Sequence, residues 1–259
     1  MSLIQSIVLV GSNSFVAKKV FENTDSCKIV RLCRPDFNID NELDYFRHKD
    51  DLLNASHILY FIANISNNEV ITNKTNVESF GKFIRFLEDY DYSGKLVFLS
   101  TLGVVFSSSF KGNSYIQSKA AAEILIQHSK IDWRIIRLTF PFGKGESGSR
   151  LFSRILYSLE NNIQLNIDNL IFFATPLDDF KDDIYDILIN KDEKLINLIP
   201  NNILNLHELV NSLSIKINSK SIINYSNKSI DLIGGLKPIL HSRDVLDAAR
   251  IINIYRNQS

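Results

Sequence analysis

Short apolar segments alternate with helix-like segments through the first 140 residues, and this order restricts the fold more than any other feature of the chain. The apolar segments lack polar alternation, as expected for strands that are covered on both faces. The order predicts an α/β fold, a doubly wound parallel sheet whose ligand lies outside the carboxyl ends of the strands. The predicted strands cover residues 7–10, 29–32, 58–62, 96–99 and 134–138, and the predicted helices cover residues 15–23, 43–54, 76–90 and 115–129.

The alternation weakens after Gly143, where a loop rich in glycine and serine precedes the next predicted helix. We place a domain boundary here. Residues 1–144 form the main domain, and residues 145–259 form a small lobe that partly contributes to the main sheet. A chain of 259 residues that is 45% apolar can bury one main core and such a lobe. Helices are predicted in the lobe at residues 150–161, 206–217 and 245–255.

Composition argues against two classes of partner. The chain has 29 basic and 29 acidic residues and no basic run that would favour nucleic acid. No apolar stretch approaches the roughly 20 residues that cross a bilayer, and the N-terminal segment lacks the basic region and cleavage site of a signal peptide. We expect no nucleic-acid or membrane partner and a location in the cytoplasm. Cys27 and Cys33 are predicted to be buried free thiols, too far apart on one predicted strand to bond.

A loop at residues 11–17 follows the first predicted strand and opens the first predicted helix. A dinucleotide-binding phosphate loop occupies this place, and a helix N-terminus offers N–H groups and partial positive charge to an anion. Gly11 can make the tight turn, whereas Ser14 stands where a second glycine is usual. We expect cofactor contacts from Gly11, Ser14, Phe15 and Val16. The alternative is an ordinary turn between a strand and a helix.

Arg34 follows the second predicted strand, about where a dinucleotide fold meets the adenosine ribose. A guanidinium there favours a 2′-phosphate through bidentate hydrogen bonds, whereas a carboxylate would favour a free 2′-hydroxyl. The residue therefore indicates NADP(H), with NAD(H) as the alternative. An arginine that is merely solvated at a strand end would indicate neither. Arg31 is a weaker candidate because it lies inside the strand.

Tyr115 and Lys119 lie four residues apart in a predicted helix, which puts a phenol and an ammonium on one face, one turn apart. A tyrosine titrates near pKa ~10, and a cation within about 4–6 Å favours its ionised form, so the phenol becomes an acid or base at neutral pH. Ser100 and Thr101, upstream, add hydroxyl groups. These residues indicate carbonyl and alcohol redox chemistry. The alternative is a pair of surface residues on an amphipathic helix and a capped strand end.

With these residues in order, residues 5–145 resemble the short-chain dehydrogenase/reductase superfamily, most closely its extended branch of nucleotide-sugar epimerases and dehydratases. Besides the phosphate loop, the resemblance rests on residues 61–64, 75–77, 99–101, 115–123 and 137–143. Residues 175–179 and 205–209 are similar to the family's two C-terminal landmarks. It implies a Rossmann-type NAD(P)-binding domain with a C-terminal substrate-binding lobe. It also implies a homodimer, formed through the two predicted helices at residues 76–90 and 115–129.

The resemblance implies roles for individual residues. Tyr115 is the acid/base, Lys119 holds the nicotinamide ribose and lowers the pKa of Tyr115, and Thr101 hydrogen-bonds the reacting oxygen. Asn38 stands where the family usually has an aspartate that contacts adenine. Further contacts are implied for Ala63 and Asn64 with the cofactor and for Ser100 with the substrate.

The residues after Thr101 narrow the reaction. The family's dehydratases follow this threonine with an Asp-Glu pair, whereas Leu102 and Gly103 follow it here, which disfavours elimination of water. We expect hydride transfer from NADPH to a sugar ketone, most specifically a 4-keto-6-deoxy nucleotide sugar, with Tyr115 as the proton donor. The alternatives are a nucleotide-sugar epimerase that retains NAD and a non-catalytic regulator that binds NADPH.

Two basic residues are candidates for substrate binding, and two histidines bear on whether the chain has a metal site. Lys144 and Arg150 flank the loop that we expect to close over the substrate, so they are candidates for binding its diphosphate; solvated loop cations are the alternative. His128 and His207 have no carboxylate or cysteine at ligand spacing. We therefore expect no metal site.

Overall fold

The computed structural model describes residues 6–22, 24, 28–66, 68–242 and 244–256. They form two compact units. The first unit comprises Met1–Leu138 and Asp182–Asn197, and the second comprises Thr139–Lys181 and Leu198–Ser259. The chain therefore leaves the first unit, returns to it and leaves it again. The single division at residue 144 stays a prediction.

Strands occur in both units. Those that fall on the five predicted apolar segments confirm the predicted positions to within about three residues, the ordinary error of such boundaries. In chain order the strands of the described residues are β1 Ser6–Val10, β2 Lys28–Leu32, β3 His57–Tyr60, β4 Lys95–Thr101, β5 Asp132–Leu138, β6 Pro141–Phe142, β7 Leu165–Phe173, β8 Thr175–Pro176, β9 Leu195–Leu198, β10 Ile203–Asn205 and β11 Ile223–Asp231.

A six-stranded sheet in the order β2-β1-β3-β4-β5-β9 is the framework of the first unit. Neighbours among β1 to β5 pair in parallel, with Val8 opposite both Val30 and Ile58. Ile7 and Val8 are both at most 1% exposed although they point to opposite faces, so both faces of β1 are covered. Since β2 and β3 flank β1, the strand order reverses there. The predicted α/β doubly wound fold is confirmed.

Helices connect the strands. The predicted helix at residues 43–54 is broken at His48, which ends one helix and begins the next, with φ −105° and ψ 18°. The predicted helix at residues 76–90 begins with a π-helical turn, Lys74–Ser79. The α-helices are α1 Phe15–Phe21, α2 Glu42–Arg47, α3 Lys49–Leu53, α4 Glu69–Asn73, α5 Phe80–Asp89, α6 Ser114–Gln127, α7 Leu151–Glu160, α8 Leu177–Asn190, α9 Leu206–Ile217 and α10 Ala248–Arg256; of these, α4 and α8 were not predicted.

An aromatic cluster fills the core between the sheet and α5. The rings of Phe80 and Phe98 stack with centroids 4.6 Å apart, and Tyr60 lies 4.5 Å from Phe80. All three side chains are at most 1% exposed. Aromatic pairs of this kind add about 0.5–1.5 kcal/mol beyond the burial of their area. The cluster fixes β3 and β4 beneath the loops that follow them.

The second unit has a small sheet of its own, in the order β10-β7-β11. Its strands were not predicted, because polar, exposed residues 227–229 leave β11 without an apolar period. The last helix, α10, is held by two hydrogen-bonded side chains. The Tyr255 hydroxyl donates to Glu146 Oε1 at 2.6 Å, and Arg256 Nη2 donates to Glu160 at 2.7 Å.

Three further findings bear on the predictions. Among the described helices, none combines the length and the apolarity that a bilayer crossing requires. Location in the cytoplasm stays a prediction. Cys33 is a free thiol, as predicted, but it is partly exposed rather than buried, because it lies in the loop after β2. Cys27, and Asn23 at the end of the first predicted helix, lie outside the described residues.

Candidate active site

A cleft of about 320 Å³ opens at the carboxyl ends of β1, β2 and β3. The strand order reverses at this edge, which is where doubly wound folds bind ligands. Six of the predicted cofactor residues line the cleft, namely Gly11, Ser14, Arg34, Asn38, Ala63 and Asn64. The remaining lining residues, which were not predicted as contacts, are Asn13, Cys33, Phe37, Ile39, Phe61, Ile62 and Thr75.

The turn after β1 requires a glycine. Gly11 has φ +85°, and a Cβ added there would lie 2.8 Å from Ile62 Cγ1 and 2.9 Å from Ile62 N. Its N–H donates to Leu32 O at 2.8 Å, so three strand ends converge on this residue. The side chain of Ser14 caps α1 by accepting from Ala17 N at 3.2 Å. Phe15 and Val16 form the first turn of α1 and do not line the cleft.

Arg34 lies at the rim of the cleft with a side chain that is 69% exposed. Its Nε and Nη2 both donate to Asn38 Oδ1, at 3.3 and 3.1 Å. Nη2 also lies 3.4 Å from Asp40 Oδ2. The guanidinium is therefore held at the cleft by an amide and a carboxylate. Arg31, the weaker candidate, donates instead to Phe21 O at 2.7 Å.

Asn76 joins the cleft to α6. Its side chain makes a pair of hydrogen bonds with the backbone of Asn64, accepting from N at 2.7 Å and donating to O at 2.9 Å. Its amide also donates to Ser118 Oγ at 2.9 Å, and Ser118 donates to Tyr115 O at 2.8 Å. Asn76 is only 3% exposed and belongs to the π-helical turn. π-Turns are frequent at functional sites, and here the turn brings an amide between two elements of the cleft.

Tyr115 and Lys119 share one face of α6, as predicted from their spacing. Asn113 caps the helix by accepting from Ile116 N at 3.0 Å, which fixes the first turn that carries Tyr115. Lys119 is 2% exposed, and its Nζ lies 3.9 Å from the centroid of the Phe98 ring. Burial lowers the pKa of Lys119 to about 7, although the nearby Glu123 carboxylate raises it.

Thr101 lies beside the first turn of α6. It ends β4, and its Oγ1 accepts from Gly103 N at 3.3 Å. A Cβ added to Gly103 would lie 3.0 Å from Ile116 Cδ1 and 3.5 Å from Thr101 Oγ1. Because Gly103 lacks that atom, the end of β4 can approach the residue that follows Tyr115. Among the residues that the structure describes, the Thr101 hydroxyl acts only as an acceptor, which leaves its hydrogen for donation to a ligand.

Ser100 has a different environment from Thr101. It is 4% exposed, and its hydroxyl donates to Glu123 Oε1 at 2.5 Å. Glu123 is 3% exposed and pairs with Arg137, whose Nε and Nη2 donate to its two oxygens at 3.0 and 2.6 Å. The structure therefore gives Ser100 a buried structural partner, and a substrate contact in which Ser100 donates its hydrogen would require breaking that bond.

Lys144 and Arg150 belong to the second unit. Arg150 immediately precedes α7, and its Nη1 donates to Pro141 O at 3.1 Å. Lys144 is exposed in the same loop. The two histidines that could suggest a metal site have other partners: His128 Nδ1 lies 2.8 Å from Ile124 O, and His207 Nε2 lies 3.2 Å from Ile167 O. Among the described residues, no three His, Cys, Asp or Glu side chains are grouped so that they could hold a metal ion.

Sequence reasoning gave no role to five residues that support the site: Asp40, Asn76, Phe98, Glu123 and Arg137. Asn76, Glu123 and Arg137 do lie in segments on which the family resemblance rests. Two of the five carried a usable signal. Arg137 lies in an apolar strand segment and Glu123 on the helix of Lys119, and a charge that is buried needs a partner. Asp40, Asn76 and Phe98 carry no such signal, because their roles depend on contacts between elements distant in sequence.

No protein-family model matches the chain, and no curated protein matches it in sequence. Solved structures share its fold at low identity. The dTDP-4-dehydrorhamnose reductase of Bacillus anthracis, in complex with NADP, has a TM-score of 0.68 at 14% identity, over 86% of this chain and 84% of that chain. The UDP-glucose 4-epimerase of Thermus thermophilus, in complex with NAD, has a TM-score of 0.70 at 12% identity, over 96% and 92%. The dTDP-glucose 4,6-dehydratase of Bacillus anthracis, also with NAD, has a TM-score of 0.67 at 16% identity, over 96% and 90%.

These neighbours are extended short-chain dehydrogenase/reductase enzymes, so the expected resemblance is confirmed at the level of the fold. They include a reductase, an epimerase and a dehydratase. The shared fold therefore does not distinguish among these reactions, and a proposal for this chain must be argued from its own residues.

Proposed function

We propose that the chain is an NAD(P)H-dependent reductase of a sugar ketone, and that the ketone is at C4 of a 6-deoxy nucleotide sugar. The observation that carries the proposal is the arrangement of Tyr115 and buried Lys119 on one face of α6, with Thr101 beside its first turn. Ser118 and Asn76 connect this arrangement by hydrogen bonds to the cleft.

The residues of the cleft fit a dinucleotide. Gly11 leaves the turn after β1 without a side chain, and Arg34 offers an exposed guanidinium at the rim. The neighbouring structures that carry NADP or NAD are consistent with this use of the cleft. In the proposal the pyrophosphate contacts Gly11 and Ser14 and the backbone N–H groups of Phe15 and Val16 in the first turn of α1, whose side chains do not line the cleft. Arg34 binds the 2′-phosphate of NADPH, Asn38 the adenine, Ala63 and Asn64 the nicotinamide half and Lys119 the nicotinamide ribose.

The reaction needs a proton donor and a stabilised oxyanion. When bound, NADPH supplies the hydride that adds to the carbonyl carbon. Tyr115 donates its phenolic proton to the carbonyl oxygen, and Thr101 donates a hydrogen bond to the same oxygen. Protonated Lys119 then stabilises the phenolate. Since burial lowers the pKa of Lys119 to about 7, this cation predominates below about pH 7. Ser100 acts in support of Glu123 rather than as a direct contact.

Lys144 and Arg150 are the predicted contacts for the diphosphate of the substrate, and both belong to the second unit. Lys144 is exposed, and Arg150 is half-buried and donates to Pro141 O. In the proposal, Lys144→Ala raises KM for the nucleotide sugar by about tenfold with little change in kcat, as expected for loss of a uniform binding contact. Arg150→Ala serves as the comparison, with a smaller expected effect.

The test is titration of the purified protein with NADPH and NADH, followed by NADPH oxidation with a panel of 4-keto-6-deoxy nucleotide sugars. Tyr115→Phe should bind NADPH normally and lose about 10²–10⁴-fold in kcat, because only the proton donor is removed. Tyr90→Phe makes the same chemical change on an exposed tyrosine that lies outside the cleft lining, and it should retain wild-type kcat.

Other outcomes would favour the alternatives. NADPH binding without turnover of any ketone would support a non-catalytic regulator. Purification with retained NAD, together with inversion at C4, would support an epimerase. Equal activity of Tyr115→Phe and wild type would remove the phenol from the mechanism.

We also propose that the protein forms a homodimer through α5 and α6. Ile124 and Leu125 of α6 are 57% and 37% exposed, so this helix carries apolar surface that a partner could bury. Leu125 Cδ1 lies 3.5 Å from the position of a Cβ on Gly81, so α5 and α6 pack closely there. Light scattering should give twice the chain mass for wild type and the chain mass for Ile124→Glu.

A further inference from the structure

Asp40 is an acidic residue beside Arg34, and the proposed function gives it no role. Its Oδ1 accepts from Ser79 Oγ at 2.7 Å, and its side chain is 21% exposed. Its Oδ2 lies 3.4 Å from Nη2 of Arg34, whose side chain is 69% exposed. The carboxylate is therefore the anchored member of this pair, and the guanidinium is the solvated member.

Asp40 places a negative charge beside Arg34 but contributes little to the orientation of the Arg34 side chain. The oxygen Asn38 Oδ1 already accepts from both Nε and Nη2 of Arg34, and it also accepts from Asp40 N at 3.3 Å. The contact between Arg34 and Asp40 is longer than either bond to Asn38, and an exposed pair of this kind restricts a side chain weakly. The Asp40 carboxylate nevertheless places a negative charge beside the guanidinium that a phosphate would bind.

A phosphate and a carboxylate are competing ligands for one guanidinium. Bidentate binding of a phosphate uses two parallel N–H donors of the guanidinium. Nη2 of Arg34 takes part in the contacts with both Asn38 and Asp40. A 2′-phosphate would also approach a like charge. A cofactor without that phosphate neither competes for Nη2 nor brings a second anion, so Asp40 affects the two cofactors unequally.

We propose that Asp40 determines cofactor selectivity by competing with the 2′-phosphate of NADPH for Arg34. This inference rests on the proposed use of the cleft for NAD(P)H. Asp40 lowers the preference for NADPH that Arg34 alone would give, and it thereby lets the site accept both NADPH and NADH.

The test is fluorescence titration of the full chain with NADPH and with NADH, which needs no substrate and no turnover. Asp40→Asn keeps an oxygen that can accept from Ser79 and removes the charge. We expect its Kd for NADPH to fall roughly three- to tenfold, while its Kd for NADH changes less than about twofold. The matched control is Asp36→Asn, which removes one exposed charge from the same loop and should leave both Kd values within about twofold of wild type.

A double variant tests whether Asp40 acts through Arg34. In the Arg34→Ala background, Asp40→Asn should change the Kd for NADPH less than about twofold. An unchanged or higher Kd for NADPH in the single variant Asp40→Asn would overturn the inference, as would an equal effect of Asp36→Asn or an undiminished effect without Arg34. Failure of every variant to bind either cofactor would overturn both this inference and the proposed function, whereas binding without turnover would bear on the reaction alone.

Discussion

Two ionic clusters of the first unit have similar chemistry and very different surroundings. Glu123 and Arg137 form a bidentate pair whose side chains are 3% and 16% exposed, with a shortest distance of 2.6 Å. Arg34 and Asp40 are 69% and 21% exposed and lie 3.4 Å apart. Both clusters combine an arginine, a carboxylate and a neutral hydrogen-bonding side chain.

The difference in burial gives the two clusters different roles: the buried cluster supports the fold, and the exposed cluster can bind a ligand. Removing one member of a buried pair leaves an uncompensated charge, so such a pair cannot release its arginine to a ligand at low cost. An exposed pair contributes about 0–1 kcal/mol and can exchange partners. We infer that the Glu123 cluster fixes β4, β5 and α6, which carry the proposed catalytic residues, while Arg34 stays available to a ligand.

Loss of Glu123 should have the largest effect. Glu123→Ala should lower the free energy of unfolding by about 3–5 kcal/mol, because Arg137 and Ser100 both lose their partner in a buried place. Urea unfolding followed by circular dichroism measures this. The control is Lys82→Met, which removes a cation from an exposed 2.8 Å pair with Glu42 and should cost less than about 1 kcal/mol. Similar losses in the two variants would show that burial does not separate the clusters.

The dependence of stability on pH should come next. Burial lowers the pKa of Lys119 from 10.5 to about 7 in the folded chain. Below pH 7 both the folded and the unfolded chain carry this proton, and the folded chain bears the cost of a buried charge. Between pH 7 and 10.5 the unfolded chain binds more protons, so raising the pH stabilises the folded state by on the order of 1 kcal/mol per pH unit.

Lys119→Met isolates this contribution, since every other titrating group is present in both proteins. The variant should be more stable than wild type at pH 6, and its advantage should shrink by about 2 kcal/mol between pH 7 and pH 9. Urea unfolding at several pH values measures the difference. A constant difference across this range would contradict a buried cation over the Phe98 ring.

Ser100 should have an intermediate effect. Ser100→Ala removes a hydroxyl that donates to a buried carboxylate at 2.5 Å, and hydrogen bonds to charged groups contribute about 1.5 kcal/mol or more. Thermal unfolding measures the loss. The comparison is Ser129→Ala, which removes a 2.7 Å bond to the neutral oxygen of Ile126 and should cost about half as much. Loss of ketone binding at unchanged stability would instead restore Ser100 to the substrate contacts.

The first unit could be predicted because its signal is local. Strands buried on both faces are apolar throughout. The segments around Val8, Ile58 and Ile135 can therefore be recognised as strands from their own sequence, without knowing which strands they pair with. The second unit lacks this signal. β11 is polar and exposed at residues 227–229, and its place beside β7 is set by pairing across more than fifty residues of chain. The strand was missed for that reason.

The candidate site divides in the same way. Gly11, Tyr115 and Lys119 could be found because spacing within one element places them. The roles of Asp40 and Asn76 could not be predicted, although Asn76 lies in a segment of the family resemblance. Asp40 is recognised by its bonds to Arg34 and Ser79, and Asn76 by its bonds to Asn64 and Ser118. Polar residues of this composition are common in loops and at helix starts. Only their tertiary partners distinguish them.

Substitution of Arg34 should have the smallest effect on stability. This substitution gives the clearest contrast between the exposed Arg34 cluster and the buried Glu123 cluster. Arg34→Ala removes an exposed guanidinium held by one amide and one carboxylate, so the free energy of unfolding should change by less than about 0.5 kcal/mol. The same substitution should raise the Kd for NADPH about tenfold or more, because a charge-assisted bidentate contact is lost. A loss of stability near that of Glu123→Ala would make Arg34 a structural residue. A large change in NADPH binding with unchanged stability is the result expected of an arginine that the fold leaves free for its ligand.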